Sequence, residues 1–201
     1  MPGSSLWLVP PPDHPVHQIL TDLITTTLPA RFPDVAGSSS GSSSFSPHMT
    51  LTSNIDPAVY GSDPQAWLDS VAWPAGRDIQ VRFEDVLTQD VFFRRCFVKV
   101  GVDGGVGDIA ALARARGVEG EAEVGPRTRK WFEEWTVAFG PHASLIYGDK
   151  PIDDAKLEEI SKVVEEAGIK LHGAGWESGI VWLVPTDRPI NEWKPIATRK
   201  L

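Results

Sequence analysis

The spacing of apolar residues changes several times along this 201-residue chain, and each change marks an element. Ser5 to Val9 is a β-rich run stopped by Pro10, Pro11 and Pro12, which cannot donate to a sheet ladder. From His14 to Leu28 the period becomes helical, with Val16, Ile19, Leu20, Leu23, Ile24 and Leu28 on one stripe and Asp13 placed to cap it. Thr25, Thr26 and Thr27 weaken that helix late, and Pro29 is expected to end it. His48 to Asn54 reads as a strand, and Asp63 to Val71 as a short helix with Asp63 as cap and Pro64 in its first position. Ile79 to Phe83 alternates, and Phe92 to Val100 is a second β-rich run. Thr88-Gln89-Asp90 between them suits a hairpin. Asp103-Gly104-Gly105 opens a helix through Arg116, while the charged stretch 119–130 fits a helix, a loop or both. His142 to Tyr147 is a strand behind Pro141, and Asp153 caps a helix whose Leu157, Ile160, Val163 and Val164 form one stripe. Gly179 to Val184 is a strand ended by Pro185, and Trp193 to Lys200 is a candidate last strand.

Strands and helices alternate in a loosely similar order near both ends, and Trp7-Leu8-Val9-Pro10 recurs as Trp182-Leu183-Val184-Pro185. This predicts an α+β fold of two pseudo-symmetric lobes, mostly antiparallel β-sheet with outer helices, around a shared cleft. One two-lobed domain then spans residues 1–201. Residues 37–46 are low-complexity Gly and Ser with a single Phe. They bury little apolar area and are expected to form a flexible loop, either a tolerated insertion or a flap beside the first histidine strand.

Composition narrows the class. An apolar fraction of 41% can fill a core. The net charge of −8, split evenly between the two halves of the chain, argues against an extended nucleic acid as partner, because such binders carry a basic face. Cys96, the single cysteine, lies in an apolar strand-like run and is read as a buried core residue. No basic n-region with an apolar core opens the chain, and no run approaches the roughly 18 apolar residues of a membrane span. A cytoplasmic protein, monomeric and without membrane contact, is the expectation.

Two strings carry the chemistry: Pro47-His48-Met49-Thr50-Leu51-Thr52 and Pro141-His142-Ala143-Ser144-Leu145-Ile146, with the histidines 94 residues apart. Side chains alternate along a strand, so His48 shares a face with Thr50, and His142 with Ser144. Side by side, the strands bring two imidazoles and two hydroxyls together, a metal-free acid–base site suited to phosphate esters. Imidazole titrates near pH ~6.5, so one ring can accept a proton while the other donates. Thr50 and Ser144 can donate to non-bridging oxygens as charge develops. Few Arg or Lys lie near either motif in sequence, which suits a monoanionic ester. His14, His17 and His172 are read as structural or solvent-facing. No helical metal spacing and no cysteine partner occurs, so no metal or other cofactor is expected, although a distant carboxylate could still complete a site. Trp7, Tyr147 and Phe45 are candidate stacking faces for a base, each with core packing as the competing reading. Strict alternation turns Tyr147 away from His142 unless the strand ends or bulges at Ile146.

The paired His-x-Thr/Ser motifs resemble the two-histidine phosphoesterases. Pro-His-Met-Thr-Leu-Thr-Ser, Pro-His-Ala-Ser-Leu-Ile-Tyr-Gly-Asp and the N-terminal Ser-Leu-Trp-Leu-Val-Pro are similar to the cyclic phosphodiesterases of fungi and plants. The resemblance implies His48 and His142 as the acid–base pair, Thr50 and Ser144 as phosphate binders, and Trp7 and Tyr147 as pocket residues. It implies a small cyclic-phosphate nucleotide as partner: a 2′,3′-cyclic nucleotide opened to the 2′-phosphate, or ADP-ribose 1″,2″-cyclic phosphate. Alternatives are the same machinery acting on RNA ends, a nucleotide-binding module without turnover, and a metallohydrolase.

Overall fold

The computed structural model describes residues 3–36 and 45–201. Its strands are β1 (Ser4–Val9), β2 (Met49–Ile55), β3 (Gln80–Leu87), β4 (Cys96–Val100), β5 (His142–Ile146), β6 (Gly173–Glu177), β7 (Ile180–Pro185) and β8 (Ala197–Lys200). They form one sheet in the order β6-β3-β4-β5-β2-β1-β7-β8, every neighbouring pair antiparallel. The helices are α1 (Pro15–Asp22), α2 (Leu28–Arg31), α3 (Pro57–Tyr60), α4 (Pro64–Ser70), α5 (Val106–Arg114), α6 (Pro126–Ala138) and α7 (Asp154–Glu166).

The sheet divides into the two expected lobes. β2-β1-β7-β8 is one and β5-β4-β3-β6 the other, and each histidine-motif strand lies innermost in its lobe. The seam is narrow, with Met49 opposite Ala143 as its one paired position. Helices brace it crosswise. α5, inserted between β4 and β5, packs on β2 of the other lobe, and the helical turn after α1, inserted between β1 and β2, packs on β5. Alternation sorts the side chains as a pleated strand requires. Leu6, Leu8, Met49 and Leu51 join the main core, whereas Trp7, Val9 and Val184 form a separate cluster. No helix among the described residues is long and apolar enough to cross a membrane.

Local differences from the sequence pattern have identifiable causes. His14, not Asp13, caps α1, its Nδ1 accepting from Val16 N at 3.2 Å. The helix continues past Pro29: Leu23–Thr27 widens into a π turn, and Pro29 falls in the first turn of α2, where a missing N–H is tolerated. Phe92–Arg94 is a 3₁₀ turn rather than strand, and β4 begins at Cys96. The charged stretch 119–130 is both: a loop over 120–125 leads into α6 at Pro126. β6 was hidden by its glycines. A Cβ on Gly175 would sit 3.0 Å from the Phe83 ring and 3.1 Å from Val81 O, so a side chain there would have to push one of them aside by a few tenths of an ångström. The tetrapeptide echo joins neighbours within one lobe, β1 and β7, with Trp7 opposite Trp182, and so does not mark a duplication of lobes. Of the Gly/Ser segment, residues 37–44 lie outside the described residues.

Candidate active site

Both motif histidines are held by the same short-range device. His48 Nδ1 is 2.7 Å from Ser46 O, and His142 Nδ1 is 3.1 Å from Gly140 O. A carbonyl only accepts, so each Nδ1 carries the proton and donates, and each Nε2 keeps a free lone pair. The residue between ring and carbonyl is Pro47 in one case and Pro141 in the other. Its ring fixes φ, which holds the preceding carbonyl in place relative to the imidazole. Gly140, at φ +59°, supplies the left-handed turn that aims the second carbonyl.

The seam then brings the two units together. Continuing the Met49–Ala143 register by one residue each way sets His48 opposite Ser144 and Thr50 opposite His142. All four side chains line one cavity of about 350 Å³. His48 is only 5% exposed, with Trp7 stacked on its ring (centroids 3.7 Å apart, 13° between planes) and Phe45 edge-on at 6.1 Å. Burial pulls its imidazole down to about 4 against the opposing hydrogen bond to Ser46. His142 is also pulled to about 4, first by burial and then by the positive charge of Arg94, with a smaller contribution from His48. Both rings are therefore neutral near pH 7 in the free protein. A bound anion, by offsetting the desolvation, is what would let one of them take up a proton.

The hydroxyls differ. Ser144 Oγ donates to Phe93 O at 2.9 Å, so its proton points at the chain until a stronger acceptor enters. Thr50 Oγ1 lines the cavity with no hydrogen-bond partner among the described residues. Thr52, one strand repeat further on, also lines it, and its buried Oγ1 has no partner among the described residues.

The aromatic candidates are placed unequally. Trp7 and Tyr147 line the cavity but are buried. One face of Trp7 is covered by His48, and Tyr147 stacks on Phe45 at 3.8 Å. β5 ends at Ile146, which lets Tyr147 turn to the cavity despite its position in the alternation. Open aromatic surface comes instead from α6 and its end. Trp131 and Trp135 stack at 5.1 Å, and Phe139 is 52% exposed. The remaining histidines stay apart: His14 caps α1, His17 is only partly buried, and His172 pairs with Asp85 at 3.3 Å. Cys96 is buried in the core, its thiol pushed up to about 12. Among the described residues no group of three or more His, Cys, Asp or Glu could hold a metal ion.

A cavity with two free imidazole nitrogens facing hydroxyl donors can move protons on both sides of a phosphorus atom. The family model for cyclic phosphodiesterase-like proteins matches residues 1–201. The chain belongs to the cyclic phosphodiesterase-like family. Relatives named 2′,3′-cyclic-nucleotide 3′-phosphodiesterase include one from Neurospora crassa, 54% identical, and one from Phaeosphaeria nodorum, 42% identical, both covering 100% of each chain. A third, from Yarrowia lipolytica, is 28% identical over 98% of this chain and 99% of its own. The protein is accordingly an enzyme, a phosphoric diester hydrolase acting on cyclic phosphodiesters.

Sequence spacing missed both cationic residues of this cyclic phosphodiesterase's cavity, Arg94 and Arg114, of which Arg114 is paired with Glu119. Arg94 lies 46 residues from one motif histidine and 48 from the other, in the turn whose Phe93 carbonyl also holds Ser144. The double Phe-Phe before Arg94-Arg95 was the available signal, since two arginines inside an apolar run need a reason to be buried.

Proposed function

We propose that this cyclic phosphodiesterase opens 2′,3′-cyclic nucleotides to nucleoside 2′-phosphates, and ADP-ribose 1″,2″-cyclic phosphate by the same route, using its two histidines. The observation that carries the reading is the pair of tethered imidazoles with unprotonated Nε2 lining one cavity. In the nucleotide reaction, water attacks phosphorus and gives a proton to Nε2 of His142. The bond from phosphorus to O3′ breaks, and O3′ leaves with a proton from Nε2 of His48, which takes that proton up from solvent when the anionic substrate binds. Phosphorus stays on O2′.

The surroundings support this division of roles. Arg94 lies on the His142 side and opposes a second positive charge there, which suits a base that starts neutral. His48 lies against the face of Trp7, whose π-electrons favour a cation above them, which suits the acid. Thr50 and Ser144 donate to the non-bridging oxygens. The lack of a ligand cluster among the described residues supports a metal-independent route. An adenine or uracil finds open aromatic surface on Trp131, Trp135 and Phe139, with Trp7 and Tyr147 forming the inner wall.

The test is turnover of 2′,3′-cyclic AMP by His48→Ala and His142→Ala after treatment with EDTA, with the product identified. Each substitution should cost about 10²–10⁴-fold in kcat with the fold kept. The wild type should keep its rate and yield only the 2′-phosphate. Near-wild-type turnover by either folded variant refutes the mechanism, and loss of wild-type activity with EDTA refutes the metal-free route. Higher activity on cyclic-ended oligonucleotides than on mononucleotides would favour RNA ends as substrate.

A further inference from the structure

The 3₁₀ turn Phe92–Arg94 places a cation where the described residues give it no ionic partner. Arg94 is 4% exposed, yet it lines the cavity beside the histidines. Its neighbour Arg95 pairs with Asp90 at 2.8 Å, and Arg114, elsewhere on the cavity wall, pairs with Glu119 at 2.6 Å. Arg94 pairs with no carboxylate among the described residues, in a chain with 27 acidic side chains. One amino group donates to Phe139 O at 2.7 Å, the other lies 3.5 Å from Ala138 O, and Nε has no partner among the described residues. The guanidinium stands over the rings of Phe97 (4.6 Å) and Phe139 (5.0 Å). Phe97 is in turn edge-to-face with His142 at 5.2 Å.

A structural role accounts for part of this. The carbonyls of Ala138 and Phe139 end α6, and a helix C-terminus carries roughly half a negative charge. The rest of the charge has no counterpart among the described residues. A buried ion is normally paired, because leaving water is expensive. The cavity it lines is also the place where an anion is expected.

We propose that Arg94 is the built-in counter-charge for the phosphoryl group held between His48 and His142, so that ligand binding completes an ion pair the folded chain leaves open. This rests on the reading that the phosphate is bound in that cavity. The monoester product carries one more negative charge than the cyclic diester at neutral pH, so the product should feel Arg94 most strongly. Arg94 acts as a positioning residue through its charge, with both amino groups already engaged by backbone carbonyls.

The experiment compares binding of adenosine 2′-monophosphate and of adenosine by calorimetry to the wild type, Arg94→Met, Arg94→Gln and Arg94→Lys. Methionine keeps bulk without charge. Glutamine keeps a donor toward Phe139 O and covers the case in which Arg94→Met fails to fold. The charge-free variants should bind the nucleotide about 10- to 100-fold more weakly, as for a hydrogen-bonded charged partner. Adenosine should change by less than about twofold, and Arg94→Lys should recover most of the nucleotide affinity. Equal losses for both ligands would leave Arg94 as a strut for α6 and overturn the proposal, as would unchanged nucleotide affinity. A wild type that binds adenosine 2′-monophosphate no better than adenosine, and turns over no cyclic nucleotide, would instead refute the reading on which the proposal rests.

Discussion

Folding this protein commits His48 to an environment that resists protonation, and the consequence is a calculable acid sensitivity. Its imidazole is pulled from 6.5 to about 4. A group with a lower pKa in the folded than in the unfolded state binds more protons when unfolded, so stability falls as the pH is lowered. The contribution is intact above 6.5, declines between 6.5 and about 4, and changes no further below that. At 1.36 kcal/mol per pKa unit the whole interval is worth about 3 kcal/mol, most of it gone by pH 4.5. His48→Asn isolates this effect, because its amide nitrogen can take the place of Nδ1 and donate to Ser46 O without titrating. The variant forfeits the stacking on Trp7, worth about 1 kcal/mol, so at pH 7.5 it should be the less stable protein by that amount. At pH 4.5 it should be the more stable by about 1–2 kcal/mol. Urea denaturation of both proteins across that range gives the comparison, and carboxylate titrations common to both cancel in the difference. Stability curves that stay parallel from pH 7.5 to 4.5 would refute the claim that His48 is buried and neutral.

Two other substitutions test the cavity walls. Trp131→Ala removes open aromatic surface from α6 and should raise KM for 2′,3′-cyclic AMP about 5- to 50-fold with kcat little changed, in line with roughly 1–3 kcal/mol per stacked base; an unchanged KM would remove α6 from base recognition. Thr52→Val exchanges a buried, unpartnered hydroxyl for a methyl of the same shape and should stabilise the free protein by about 1 kcal/mol in urea; clear destabilisation would show that Oγ1 has a partner.

The sequence exposed those parts of the site whose partners are close in the chain. A proline, a histidine and a hydroxyl two residues on are local, and so is the alternation that puts them on one face. Two copies of such a string pointed to a shared cavity before any fold was known. The caps of α4 and α7, Asp63 and Asp153, were legible for the same reason, since each accepts from a backbone N–H three residues later. The parts that stayed hidden depend on contacts distant in sequence. β6 is a strand because its glycines fit against Phe83 and Val81. Phe92–Arg94 coils because Ser144 bonds to Phe93 O and Arg94 reaches the end of α6. Trp7 reads as a base platform from its position alone, and only its neighbours reveal that the His48 ring lies on it.

Under the proposed mechanism, that distribution bears on how a near-symmetric pair of motifs would do asymmetric chemistry. The tethers make His48 and His142 alike: the same nitrogen is tied, the same nitrogen is free, and burial lowers both to the same range. Nothing inside either six-residue string tells acid from base. The distinction comes from what each lobe places behind the ring. β1 sets the Trp7 indole against His48, and the turn before β4 sets the Arg94 guanidinium near His142. A proton shared between two equivalent imidazoles would settle on the one lying on the indole and avoid the one near the guanidinium. Exchange of roles between the two histidines would therefore call for changes at positions 7 and 94, outside both motifs.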